Sequence, residues 1–128
     1  KVVARRMRAL GLSPRLSDGS GLSRGNRTTA RQVVSLLQAM HAEQVPGWKE
    51  SLPVAGVSGT LRKRMRGTAA HRACRAKTGS LNGVSSLSGY CTTPGGEVAF
   101  SVIANRVCSA CAKRIEDRMV AAIARYSG

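Results

Sequence analysis
The sequence predicts an α+β fold, an antiparallel sheet flanked by helices. Three observations predict it. Residues 72–80, 84–92 and 97–105 read as strands, and the second alternates larger apolar residues with small polar ones. The joints between them, Asn82-Gly83 and Pro94-Gly95-Gly96, are short turn sequences that fold successive strands back on each other. Stretches of helical periodicity lie on both sides, over 30–43 before the strands and 112–126 after them.

In chain order, residues 2–12 read as a basic helix with Gly11 at its C′ position and Pro14 beyond it. No capping residue precedes this helix, which reads as the interior of a longer chain. Residues 17–28 are a glycine- and serine-rich loop. Thr28 or Thr29 caps the next helix, 30–43, which sets Val33, Val34, Leu37 and Met40 on one face. Pro46-Gly47 ends it, and Trp48 is expected as a core anchor beside Leu52. Residues 51–70 are broken by Pro53, Gly56, Gly59 and Gly67, with a short basic helix expected around 60–66.

The first two strands form a hairpin. Asn82-Gly83 suits the two central positions of a type I′ turn, which need φ > 0. With that turn, Lys77 faces Ser88 and Cys74 faces Cys91. Directly opposed residues lie within disulfide reach, so Cys74 and Cys91 are expected to be bridged. Gly79 permits close backbone approach to this strand. After a connection over 106–111, the last helix is expected to turn Ile115, Met119, Ala122 and Ile123 inward.

A chain of 128 residues is one ordinary domain, and its 42% hydrophobic content supports a modest core. No apolar run is long enough for a transmembrane helix or a signal-peptide core. The net charge is +15, from 21 Lys and Arg against 6 Asp and Glu. Nucleic acid or an anionic cell-wall polymer are the partners such charge first suggests. The basic residues are scattered, however, with few aromatics among them, and zinc-finger spacing and a glycine-rich phosphate loop are both missing. These residues leave a merely basic surface and a binding footprint as alternatives, and no nucleic acid is expected as a partner. Cys108-Ser-Ala-Cys111 is a lone C-x-x-C without the second pair or the histidines that a zinc site needs. A local disulfide or two free thiols are expected there, and no metal or cofactor. His41 and His71 lack catalytic neighbours in sequence, and His41 at a helix end suits the dipole.

Two stretches are more specific. Asp18-Gly19-Ser20-Gly21-Leu22-Ser23-Arg24-Gly25-Asn26 and Ala76-Lys77-Thr78-Gly79-Ser80-Leu81-Asn82-Gly83-Val84 resemble the D-alanyl-D-alanine carboxypeptidases of the class C low-molecular-mass penicillin-binding proteins. The segment Ser51–Leu61 between them looks like that family as well. The family's pattern joins S-x-x-K, S-x-N and K-T-G. Ser23 matches the serine of the second motif, while the position two on is Gly25 and Asn26 follows it. Lys77-Thr78-Gly79 is the third motif intact. The first is absent, because no serine is followed by lysine three residues later. The nearest spacings start from Thr60 and Cys74.

The resemblance implies that residues 1–128 are the C-terminal segment of one serine β-lactamase-like transpeptidase domain, lacking its nucleophile. It implies a serine-type carboxypeptidase or endopeptidase acting on peptidoglycan peptides ending in D-Ala-D-Ala, outside the cytoplasmic membrane. The complete enzyme would bind β-lactams. Ser23 and Lys77 would be the catalytic residues present, Ser23 as proton relay and Lys77 as the positive charge near the substrate carboxylate. Asn26, Thr78, Gly79 and Ser80 would bind substrate, with the Ser80 N–H as one oxyanion donor. The loop at Ser23 and the strand at Lys77 are then expected side by side. Arg24 and Arg27 read as surface residues. Two other readings stand beside this one: a cationic module for an anionic polymer, and a catalytically inactive remnant of the fold.

Overall fold
The computed structural model describes residues 2–128. It has two helices, a long irregular segment, three strands and a final helix: α1 (Val2–Ala9), α2 (Ala30–Ala42), β1 (Cys74–Leu81), β2 (Val84–Thr93), β3 (Gly96–Asn105) and α3 (Ser109–Ile123). The strands form an antiparallel sheet in the order β1-β2-β3.

Local sequence accounts for most element ends. The amides of Gly11 and Leu12 donate back to the carbonyls of Arg8 and Met7, which closes α1 around Gly11 at φ +70°. Thr29 caps α2 in a reciprocal box: its hydroxyl accepts from the Gln32 amide, and the Gln32 side chain accepts from the Thr29 amide. Asn82 and Gly83 are the turn residues of the β1–β2 hairpin, and Cys74↔Cys91 and Lys77↔Ser88 are in register. The turn is not the I′ form, because only Gly83 has positive φ, +74°. Asn82 stays at negative φ, with its carbonyl held by the Arg24 guanidinium at 2.6 Å.

Alternation along the strands sends two sets of side chains to opposite faces. Leu87 and Phe100 meet Val120 of α3 and Ala124 just after it, together with Leu61, Met65 and the Cys74–Cys91 bridge. On the other face Tyr90 packs with Leu37 of α2 and Leu52, and Trp48 lies against them. The Tyr90 hydroxyl donates to the Leu37 carbonyl at 2.6 Å and accepts from the Trp48 indole at 2.9 Å. Trp48 is thus the expected anchor beside Leu52. Burial pushes the Tyr90 phenol above its ordinary range.

Two further expectations fail. The inward face of α3 is not Ile115, Met119 and Ala122. Ile115 is 58% and Met119 45% exposed, and Ala122 is exposed too. The buried positions are Ala112, Glu116, Val120 and Ala121, with Ile123 only partly buried. Hydrophobic spacing rejects a glutamate from a core face, yet Glu116 is buried because Ser85 and Arg64 both donate to its carboxylate. The basic helix around 60–66 is also absent. Only a 3-10 turn forms, at Gly59–Leu61, and Met65 takes φ +60°, which stops any helix. That backbone buries Leu61 and Met65 together while Arg64 reaches α3.

Candidate active site
Strand β1 is an edge of the sheet, and its outer side is only half covered. The Ala55 amide donates to the Cys74 carbonyl and the Ala76 amide to the Pro53 carbonyl, each at 2.9 Å. Main-chain groups of alternate residues point to the same side of a strand, so those of Thr78 and Ser80 also point outward. They lie beyond the 53–55 segment, on the stretch of edge where an added strand has donors and acceptors to meet.

Side chains of the K-T-G triplet divide between the faces. Lys77 is exposed and its ammonium donates to the Thr78 carbonyl at 2.5 Å. The Thr78 hydroxyl donates to that of Thr60 at 3.0 Å. A Cβ built at Gly79 would strike the Ser86 hydroxyl across the hairpin, so a larger residue would require that side chain to turn away. Ser80 is exposed.

The loop carrying Ser23 is organised by Asp18. One carboxylate oxygen accepts from the Gly21 amide at 3.1 Å and the Asn26 side chain at 2.7 Å. The other accepts from the Ser20 hydroxyl at 2.9 Å and the Ser23 amide at 2.8 Å. Asn26 closes the ring, its side-chain oxygen accepting from the Ser17 amide at 2.7 Å. Both ends of the Asn26 amide are thus used inside the loop. The Ser23 hydroxyl accepts from the Gly25 amide at 3.1 Å. Paired main chains of Arg15 and Arg27 close the base of the loop.

Hydrogen bonds from Asn26 and Ser20, which outweigh the opposing effect of burial, hold the Asp18 carboxyl at about 2 against an ordinary 3.8, with the Ser23 and Gly21 amides adding to them. A depressed folded-state value means the contribution is fully present above 3.8 and lost as pH falls through about 2. Carbon NMR of the Asp18 carboxyl should therefore show a midpoint near 2, with the Ser23 and Gly21 amide shifts following it. An ordinary midpoint near 3.8 would dismiss Asp18 as the hub.

Through Arg24 the loop lies against the far end of β1. A groove of about 790 Å³ separates them, lined among others by Ser23, Arg24, Asn26, Leu81, Asn82 and Arg106. Lys77 stands four positions earlier on the strand, outside this lining, and no hydrogen bond joins it to Ser23 among the described residues. Sequence reasoning overlooked Asp18 and Thr60 as site-shaping residues and read Arg24 as surface. Asp18-Gly-Ser-Gly carries a turn signal that points to the first. Arg24 and Thr60 act across the fold and have no local signal.

With this geometry in hand, the chain matches the D-Ala-D-Ala carboxypeptidase 3 (S13) family over residues 2–126. It is 50% identical over 119 residues to the D-alanyl-D-alanine carboxypeptidase of an Actinomadura species, covering 88% of this chain and 22% of that protein. It is 39% identical over 114 residues to carboxypeptidase DacB of Mycolicibacterium smegmatis, covering 80% of this chain and 25% of that protein. Its structure resembles penicillin binding protein 4 of Haemophilus influenzae complexed with a β-lactam. That likeness has a TM-score of 0.85 and 29% identity, over 97% of this chain and 32% of the other. The chain therefore spans about a quarter of the length of these curated relatives or less.

Proposed function
The chain belongs to the D-Ala-D-Ala carboxypeptidase 3 (S13) family, and from that premise we propose that it is the C-terminal segment of a serine D,D-peptidase catalytic domain. The whole enzyme removes or cleaves at D-Ala in peptidoglycan stem peptides, outside the cytoplasmic membrane. The observation that supports this most is the open edge of β1. Its outward main-chain groups at Thr78 and Ser80 can take a peptide as an extra strand, with the exposed Lys77 ammonium beside it.

The chemistry divides between this segment and the remainder of the domain. A serine from an S-x-x-K helix attacks the carbonyl before the terminal D-Ala, and the Ser80 N–H shares the oxyanion with that serine's own N–H. Lys77 and the Thr78 hydroxyl hold the substrate carboxylate. Ser23 relays a proton to the departing amine, and the Asp18 ring keeps its backbone in place. β-Lactams would acylate the same serine, in keeping with the β-lactam complex of the Haemophilus influenzae protein.

The 128-residue chain alone has no such serine and should form no acyl-enzyme. A fluorescent penicillin should label the full-length product but not this segment. In that product Lys77→Ala should slow acylation on the order of 10²-fold or more. Stoichiometric labelling of the segment, abolished by Ser23→Ala, would make Ser23 the nucleophile. Labelling lost only with Lys77→Ala would mean acylation of the lysine and an end to its role as carboxylate anchor.

A further inference from the structure
We propose that Cys108–Cys111 is a thiol–disulfide exchange site, reduced by an external dithiol while the Cys74–Cys91 bridge and the fold remain. It is independent of the peptidase chemistry. Both pairs are bridged in the structure, but their surroundings are opposite. Cys74 and Cys91 are 0% exposed, locked between paired strands and packed into the core. An attacking thiolate cannot reach them without opening the sheet.

Cys108 and Cys111 are both exposed. They border an open hollow of about 170 Å³ with Val102, Val107, Ala112 and Ile115. Glu116 also lines the hollow, with its charge already paired to Arg64. Cys108 is the N-cap of α3, and its sulfur accepts from the Cys111 amide at 3.3 Å. The first turn of α3 holds no acidic residue, and Arg106, Lys113 and Arg114 flank it in sequence. A free helix N-terminus and a donated N–H both favour thiolate over thiol at Cys108.

That asymmetry gives the exchange a direction. The dithiol's thiolate attacks Sγ of Cys111, and the S–S bond breaks with its electron pair on Cys108, the better leaving group. The partner is now joined to Cys111 by a mixed disulfide. Its second thiolate attacks its own sulfur in that bond and expels Cys111. The partner leaves as a disulfide. The Cys108–Cys111 pair has gained two electrons and, on protonation, two protons, the same number that the dithiol gave up.

The test is differential alkylation of the full chain under native conditions in graded dithiothreitol, read by peptide mass spectrometry. Cys108 and Cys111 should be alkylated at least about tenfold faster than Cys74 and Cys91, with circular dichroism unchanged. Parallel labelling of the two pairs, or no labelling of Cys108 and Cys111 before unfolding, would overturn the proposal. The single variants test the direction. At neutral pH the lone Cys108 of Cys111→Ser should react with iodoacetamide faster than the lone Cys111 of Cys108→Ser. Equal or reversed rates would overturn the assignment of Cys108 as the stabilised thiolate.

Discussion
Glu116→Ala should destabilise the chain by about 3–5 kcal/mol, the range for breaking a buried ion pair from one side. Glu116 is 1% exposed, and its carboxylate accepts from the Ser85 hydroxyl at 2.7 Å and from the Arg64 guanidinium at 2.9 Å. Arg64 also reaches Asp117 at 2.7 Å and the Lys113 carbonyl at 3.2 Å, so this cluster ties the 61–65 turn, the sheet and α3 together. Burial works against the Arg64 charge, but Asp117 and Glu116 more than offset it and raise its pKa. Removing Glu116 leaves the buried Ser85 hydroxyl without its partner and Arg64 half-compensated beside the core. The pair itself is a weaker source of net stability than that cost suggests. Arg64→Met with Glu116→Leu should recover part of the loss, because it removes both desolvated charges together while the Ser85 hydroxyl stays unpartnered. Urea unfolding of the three proteins checks this. A Glu116→Ala midpoint equal to that of the parent would show that the cluster contributes nothing.

Opening the Cys74–Cys91 bridge should cost about 3 kcal/mol, the loop-closure value for a loop near 15 residues. The two cysteines are 17 positions apart in sequence and opposed in the hairpin, with Cα atoms 4.1 Å apart. The bridge ties the strand bearing Lys77 to the central strand at one end, while Asn82-Gly83 ties it at the other. Cys74→Ala with Cys91→Ala should therefore lower the thermal midpoint on the order of 10 °C. It should also increase amide exchange along 74–77 more than at the turn. Cys108→Ser with Cys111→Ser, closing a span of only 3 positions, should cost less, on the order of 1–2 kcal/mol. Equal losses from the two double variants would contradict this ranking.

The parts of the molecule legible in the sequence are those decided within a few residues. Asn82-Gly83 determined the hairpin and therefore which cysteines face each other, because a two-residue turn leaves no freedom in register. Gly11 and Thr29-x-x-Gln32 determined helix ends, since capping is satisfied by neighbours. The motif stretches around Ser23 and Lys77 pointed to the family in the same way, by short-range identity rather than by shape.

Tertiary structure alone decided the rest. The inward face of α3 turns on a glutamate that belongs inside only because Arg64, 52 positions earlier, arrives to pair with it. Residues 60–66 have helical composition but no helix, because burying Leu61 and Met65 together rewards a different backbone more than local propensity penalises it. Asn82 avoids the I′ geometry while Arg24, 58 positions away, holds its carbonyl. Each of these depends on how a group is surrounded in the assembled fold: Glu116 buried and paired, Leu61 and Met65 packed into the core, and the Asn82 carbonyl held by Arg24. The energy of such a group is set by what surrounds it after folding, and periodicity and propensity count only its neighbours along the chain.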